Sequence, residues 1–290
     1  MAVARLVIAG ACIVAGLSLA DNGAAATVDE LSQTTHIHGV AVDAYDPSRL
    51  LLATHHGFFV AAQDGTVEQV SEQPHDFMGF TPHPEDKSIL YASGHPGRGG
   101  NLGFIESGDG GRTWRQLSEG AAEYGPVDFH MMDVSKADPS VIYGVYRELQ
   151  VSRDGGRNWQ TVDVPPRRMI DLAASARDPD TIYAATESGL YISMDGGQSW
   201  HATKVAGQPV TLIEIDANAR MFAFVLGSGL MRSTEGSPKW ETLSDDFGDR
   251  FLLHLATDPA DPDRLYAATS TSEVLTSADG GKSWRAFGGE

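Results

Sequence analysis

The stretch SGDGGRTW, residues 107–114, recurs along this chain of 290 residues. It returns as SRDGGRNW at 152–159, SMDGGQSW at 193–200 and SADGGKSW at 277–284. A fifth copy at 233–240 has Glu235 in place of the aspartate, and Asp64-Gly65-Thr66 is the remnant of a first copy. The acidic positions are 45, 45, 41, 40 and 44 residues apart, so six repeats fill most of the sequence.

Four of the repeats carry a second landmark, an Asp-Pro turn followed by a short apolar segment. The apolar segments that follow such turns are residues 50–54, 141–145, 181–186 and 265–269. Aspartate and glycine at these places favour tight turns, so each repeat is predicted to contain four short antiparallel strands. This pattern is typical of a propeller blade. We predict an all-β protein, a six-bladed β-propeller over residues 34–288, preceded by a segment at 27–33.

The first 26 residues have the pattern of an export signal. Arg5 supplies the positive charge, residues 6–20 form an apolar run, and Ala24-Ala25-Ala26 offers small residues for cleavage. The run is shorter than the roughly 20 residues that a membrane-spanning helix needs. We therefore predict a periplasmic or secreted protein that has no membrane association after cleavage. Cys12, the one cysteine, lies in this segment, so the mature chain would have neither disulfides nor cysteine metal ligands.

Composition excludes one class of partner. The chain has 21 basic and 39 acidic residues, and its net charge is −18. Such an excess of negative charge repels phosphate backbones, and no basic cluster offsets it. We therefore expect no nucleic-acid partner.

The repeated string resembles the Asp-box, or BNR, repeat of sialidases, sortilin-like receptor domains and related exported, glycosyl hydrolase-like propellers. In that family the Asp-box hairpin joins the third and fourth strands and lies on the face away from the ligand. The resemblance implies that the Asp-Pro turns share this bottom face. The top face would then consist of the loops between second and third strands and of the connections between blades.

Histidines are concentrated in the segments predicted for the top face of blades one to three. Side chains two residues apart on a strand point to the same face of the sheet, so His36 and His38 are predicted to point together. The same holds for Asp128 and His130. Imidazole and carboxylate together bind copper, zinc, iron or manganese, and nearby Met78, Met131 and Met132 would favour copper. The predicted transition-metal ligands are His36, His38, His55, His56, His75, His95, Asp128 and His130.

Two other interpretations of the same face stay open. The histidines could form a polar lining, or a His-carboxylate pair could perform acid-base catalysis in a glycoside hydrolase-like or lyase-like enzyme. The catalytic candidates are His75, Asp76, Glu148 and Glu187. The arginines predicted to bind a small anionic ligand or a glycan are Arg147, Arg168 and Arg250.

Sialidase activity itself is not expected. The arginine motif that precedes the first blade in sialidases is missing, because residues 35–39 read THIHG. The remaining alternative is a scaffold that binds a protein partner, as sortilin-like and photosystem-assembly propellers of this repeat class do.

Overall fold

A computed structural model describes residues 26–121, 123, 125–162 and 166–289. The predicted signal segment lies outside the described residues except for Ala26, and so does Cys12. The described chain forms six sheets, each of four antiparallel strands in sequence order. The prediction of a six-bladed β-propeller is therefore confirmed. No helix among the described residues is long and apolar enough to cross a membrane.

The strands follow one another blade by blade. Blade 1 consists of β1 Ile37–Val42, β2 Leu50–Thr54, β3 Gly57–Ala61 and β4 Val67–Gln69. Blade 2 consists of β5 Asp76–Pro82, β6 Leu90–His95, β7 Phe104–Ser107 and β8 Arg115–Ser118. Blade 3 consists of β9 Met131–Val134, β10 Ile142–Tyr146, β11 Glu148–Ser152 and β12 Gln160–Val162.

The second half of the chain repeats this order. Blade 4 consists of β13 Met169–Ala174, β14 Ile182–Thr186, β15 Gly189–Ser193 and β16 His201–Ala206. Blade 5 consists of β17 Val210–Ile215, β18 Arg220–Val225, β19 Gly229–Thr234 and β20 Glu241–Ser244. Blade 6 consists of β21 Leu252–Thr257, β22 Leu265–Thr269, β23 Val274–Ser277 and β24 Arg285–Ala286.

The first strands of the blades form the inner ring. Each contacts the first strand of the next blade, and β21 contacts β1 to complete the circle. The prediction left two possibilities for residues 27–33, pairing with the last blade or lying loose. The segment instead forms a helix, α1 Val28–Thr34, begun by a capping box in which Thr27 and Glu30 satisfy each other's backbone amides.

Helix α1 covers the seam between the first and last blades. Val28 and Leu31 are buried in a cluster with Val67 of blade 1 and Val274 and Phe287 at the end of the chain. Both possibilities were therefore wrong. The segment packs side chains against blade 6, but its backbone bridge runs from Thr27 to Thr66, beside β4 of blade 1.

The Asp-Gly-Gly hairpins are closed by their aspartates. In blade 2, Asp109 Oδ1 accepts hydrogen bonds from the backbone amides of Arg112 (3.1 Å) and Thr113 (2.9 Å). The Ser107 hydroxyl donates to the same oxygen (2.9 Å) and accepts from the Gly111 amide (2.9 Å). The fifth repeat differs, because Glu235 Oε2 accepts from the amide of Ala176 in blade 4 (3.2 Å).

The second glycine of each intact hairpin is the point where neighbouring blades touch. An added Cβ at Gly111 would lie 2.3 Å from the ring of Phe58, in β3 of the preceding blade. Gly156 faces Phe104 in the same way, at 2.0 Å, and Gly197 faces Leu149, at 2.4 Å. The hairpin therefore has two local requirements, a positive φ and the absence of a side chain.

Two adjacent glycines separate these requirements experimentally. Gly110 (φ +75°) and Gly111 (φ +87°) are both left-handed, but a Cβ at Gly110 would meet nothing within 4 Å. Gly110→Ala should cost about 1–2 kcal/mol for the backbone conformation alone. Gly111→Ala should cost an additional ~1–3 kcal/mol because of the overlap with Phe58. Urea unfolding of both variants checks this, and equal losses would contradict the role of Gly111 in the blade contact.

Ionisable side chains that are buried or half-buried lie where the inner strands of blades 3 to 5 meet. Asp133 Oδ2 accepts from the Ala174 amide and Asp171 Oδ2 from the Ile213 amide, both at 2.9 Å, so each carboxylate links two blades. Lys136 forms an ion pair with Asp133 at 2.8 Å. Burial raises the pKa of Asp171 to about 8. Burial also raises the pKa of Glu214 on β17.

The raised pKa of Glu214 makes stability depend on pH. Between the ordinary glutamate pKa and the raised one, the folded state binds more protons than the unfolded state, so stability falls as pH rises. Glu214→Gln removes this titration, and the melting temperature should therefore rise more at pH 8 than at pH 5. Each kcal/mol corresponds to about 2–4 °C for a chain of this size. Calorimetry at both pH values measures the effect, with exposed Glu68→Gln on β4 as the control.

Candidate metal centre

The predicted top-face residues come together at the ends of the inner strands. Gly39 pairs with Ala53 on β2, and Met131 pairs with Val145 at the corresponding place on β10. His38 and His130 therefore occupy equivalent positions in blades 1 and 3, as their spacing from the turn prolines predicts. Chain order brings blade 2 between them, and its strand ends add further ligands.

The first triad consists of His38, His55 and Asp76. One nitrogen or oxygen atom from each lies within 4.8 Å of the others. His55 Nδ1 and Asp76 Oδ2 are 2.7 Å apart. His38 Nε2 lies 4.0 Å from Asp76 Oδ1, and both of these atoms are shielded from solvent without a hydrogen-bond partner. Two buried ligand atoms thus face each other across a gap too wide for a hydrogen bond.

The imidazole of His38 is held in its neutral form. Burial, followed by the neighbouring His55 ring, lowers the pKa of His38 to about 3. The two ring centroids are 4.1 Å apart. A neutral imidazole keeps a lone pair available, which is the form that binds metal ions.

His254 is a histidine of this region that the sequence prediction left out. It lies on β21 of blade 6, opposite Ala268, at the level of Gly39 in blade 1. Burial lowers its pKa to about 4, and its charge contributes to the lowered pKa of His38. His254 could have been included on one argument. A closed propeller puts its last blade beside its first, so a histidine on β21 comes close to blade 1.

The second triad consists of His95, Asp128 and His130. The Nε2 atoms of His95 and His130 lie 2.8 and 2.6 Å from the same oxygen, Asp128 Oδ2. The Asp128 side chain is only 4% exposed, and its other oxygen, Oδ1, is buried without a partner. The hydrogen bond to Asp128 raises the pKa of His130.

A glycine allows the two triads to approach each other. Asp76 and His95 are directly opposite residues of the β5–β6 pair, followed by Phe77 opposite Gly94. A Cβ at Gly94, whose φ is +124°, would lie 1.9 Å from the carbonyl oxygen of Asp76. Glycine at this position therefore permits the strand pairing that places a ligand of each triad side by side.

Three of the predicted metal ligands lie outside the triads. The His36 ring is 5.6 Å from that of His55, and the His56 ring is 6.4 Å from it. His75 packs its ring 5.9 Å from Phe77, and burial lowers its pKa. His75 lies immediately before β5, and its Nδ1 atom is buried without a hydrogen-bond partner. Among the described residues, no hydrogen bond joins His75 and Asp76 as an acid-base pair; Asp76 contacts His55 instead.

The methionines do not reinforce the triads. Met131 and Met132 pack into two different hydrophobic clusters on either side of blade 3, and Met78 is buried. The donor atoms of the two triads are therefore nitrogen and oxygen. The thioether argument for copper receives no support from this packing.

The remaining candidates form contacts at the strand ends of blades 3, 4 and 6. Arg168 pairs with Glu187 at 2.5 Å, and Arg250 pairs with Glu273 at 2.6 Å. The Arg147 guanidinium lies over the ring of Tyr146, 5.4 Å from its centroid. Glu148 begins β11 directly beyond it. Neither described triad contains any of the five candidates, which are Arg147, Glu148, Arg168, Glu187 and Arg250.

Comparisons with known proteins agree with the fold. No family model matches the chain. It is 27% identical over 124 residues to the photosystem II assembly lipoprotein Ycf48 of Synechococcus sp. (strain CC9902), covering 40% of this chain and 37% of that protein. It is 26% identical over 294 residues to a xyloglucanase of Paenibacillus sp., covering 86% of this chain and 26% of that protein.

The solved structures include a GH74 xyloglucanase from Xanthomonas campestris. It superposes with a TM-score of 0.59 and 19% identity, covering 87% of this chain and 45% of that one. The chain thus spans about a quarter to two fifths of the length of the curated relatives that it matches. The protein is thus a six-bladed β-propeller whose sequence is similar to parts of a xyloglucanase and of a Ycf48 protein.

The contact between His130 and Asp128 can be tested in protein freed of metal. A raised pKa means that His130 contributes stability at low pH, and that this contribution is lost as pH rises through the raised pKa. Asp128→Asn should lower the pKa of His130, as measured by the pH dependence of its imidazole NMR signals. Asp246→Asn, an exposed carboxylate in the connection before blade 6, should leave it unchanged. An unchanged His130 titration in Asp128→Asn would disprove the contact.

Proposed function

We propose that this protein binds a divalent transition-metal ion on the top face of its propeller, at the histidine–aspartate sector of blades 1 to 3. The observation that carries the proposal is the unpartnered pair in the first triad, His38 Nε2 and Asp76 Oδ1, 4.0 Å apart. Burying polar atoms without partners is costly. An ion with bonds of ~2.0–2.2 Å to each would satisfy both.

The donor set limits the choice of ion. Two imidazoles and one carboxylate with open positions are used by zinc in hydrolases and by non-haem iron(II). Manganese and copper(II) accept the same donors. The chain would hold the ion through His38, His55 and Asp76, and the coordination positions that these three leave open would be available to water or a small ligand.

Two observations favour metal binding over glycoside hydrolysis as the role of this face. Hydrolysis of a glycosidic bond ordinarily uses two carboxyl groups, one as an acid and one as a base or nucleophile. Asp76 and Asp128 both contact imidazoles, and Glu187 is paired with Arg168.

The similarity to a xyloglucanase and to Ycf48 supports an enzyme or an assembly scaffold only at the level of the shared propeller. Export to the periplasm or the medium remains a prediction from residues 1–26.

Elemental analysis tests the proposal directly. Mature protein, purified without a histidine tag, is incubated with zinc, iron(II), manganese or copper(II), dialysed and analysed for metal. Wild type should retain at least one equivalent of one ion, whereas His38→Ala combined with His130→Ala should retain none, because each triad loses a ligand.

A matched double variant controls for non-specific binding. His56→Ala combined with His83→Ala also removes two imidazoles, but neither residue belongs to a triad. His83 instead accepts hydrogen bonds from the amides of Glu85 and Asp86 at a turn. This control should bind metal like wild type. Metal-free wild type, or equal losses in both double variants with the fold intact by circular dichroism, would overturn the proposal.

A further inference from the structure

We propose that the two triads form one binuclear centre, which holds two divalent transition-metal ions side by side and binds an oxyanion between them. The inference rests on the proposed function, since it requires that the first triad binds an ion. It adds a second site, a count of two ions per chain and a class of ligand.

The strand pairing of blade 2 places the triads next to each other. Asp76 belongs to the first triad and His95 to the second, and they are directly opposite residues in the antiparallel β5–β6 pair. Directly opposite residues have Cβ atoms about 4.5–5.5 Å apart and point to the same face of the sheet. Ions bound at the two triads would therefore be neighbours rather than independent surface sites.

The second triad has its own evidence for a cation. The Asp128 carboxylate is 4% exposed, and its Oδ1 atom is buried without a partner. His95 Nδ1 lies 3.0 Å from the carbonyl oxygen of Gly100, which can only accept, so the Nδ1 atom carries a proton. The Nε2 atom of the same ring lies 2.8 Å from Asp128 Oδ2, so a ring nitrogen and a carboxylate oxygen stand side by side, as two donor atoms of one metal ion do.

A backbone carbonyl that fixes the tautomer of a metal-binding histidine is a common feature of metal sites. The Gly100 carbonyl has this position relative to His95, and Asp76 Oδ2 has it relative to His55, whose Nδ1 is 2.7 Å away. Each triad therefore contains one imidazole that is oriented by an acceptor on its Nδ1 side. The two arrangements differ in one respect, since the acceptor for His95 lies outside its triad and Asp76 is itself a member of the first triad.

The charge of the loaded centre indicates the class of ligand. Two divalent ions contribute four positive charges, the two carboxylates remove two, and neutral imidazoles remove none. The excess of two positive charges lies in a chain whose net charge is −18 and which otherwise repels anions. Paired ions at short distance bind and polarise oxygen atoms of phosphate-type groups. We therefore expect a small oxyanion such as inorganic phosphate to bridge the ions.

Copper(II) titration with electron paramagnetic resonance tests the centre. Wild type should bind two equivalents, and the spectrum at two equivalents should show dipolar coupling between the ions. His38→Ala and His130→Ala should each bind one equivalent and give the spectrum of an isolated ion. His56→Ala should behave like wild type.

The outcomes separate the two proposals. If wild type binds no copper or any other ion, the proposed function fails and the binuclear centre fails with it. If wild type binds one equivalent, or two without coupling, metal binding stands and the binuclear centre is disproved.

Inorganic phosphate tests the ligand. Phosphate should raise the melting temperature of the protein loaded with two zinc ions, because a ligand that binds the folded state stabilises it. It should not do so for metal-free protein or for either single-triad variant. The absence of a shift in the loaded wild type would disprove oxyanion binding at the centre.

Discussion

The fold depends on the contact between each Asp-Gly-Gly hairpin and the blade before it. The aspartate and serine fix the hairpin, and the second glycine lets an apolar side chain of the preceding blade pack against the backbone. Each intact hairpin therefore acts at two levels, as a turn within its blade and as a joint between blades. This explains why residues of a short turn recur when most of the strand sequence does not.

The ring that these joints create is what assembles the site. The ligands come from three blades and are separated by up to 92 residues in the chain, from His38 to His130. Because the inner strands all begin at one end of the ring, residues at equivalent positions converge there. Blade 2 is central, since it supplies Asp76 at the start of its first strand and His95 at the end of its second.

Much of this could be predicted from the sequence. The repeats give the number of blades, and the distance from each turn proline puts His38 and His130 at the same level. The partner of Asp76 could not be predicted, because His55 lies in blade 1, at the turn after β2, and its contact with Asp76 depends on how blades 1 and 2 pack together. His254 was missed because its neighbours belong to the first blade, and α1 was missed because its stability comes from packing at the seam rather than from its seven residues.

The seam that α1 covers has a consequence for how the chain folds. Across it, the Ile37 amide donates to the Ser272 hydroxyl at 3.0 Å, so closure joins residues 235 positions apart. Contacts between neighbouring blades are much more local, and such contacts form faster. The ligands of both triads belong to blades 1 to 3, whereas His254 and Val274, one of the partners of α1, belong to blade 6. The triads can therefore be assembled before the ring is complete. Closure then brings His254 of blade 6 close to His38.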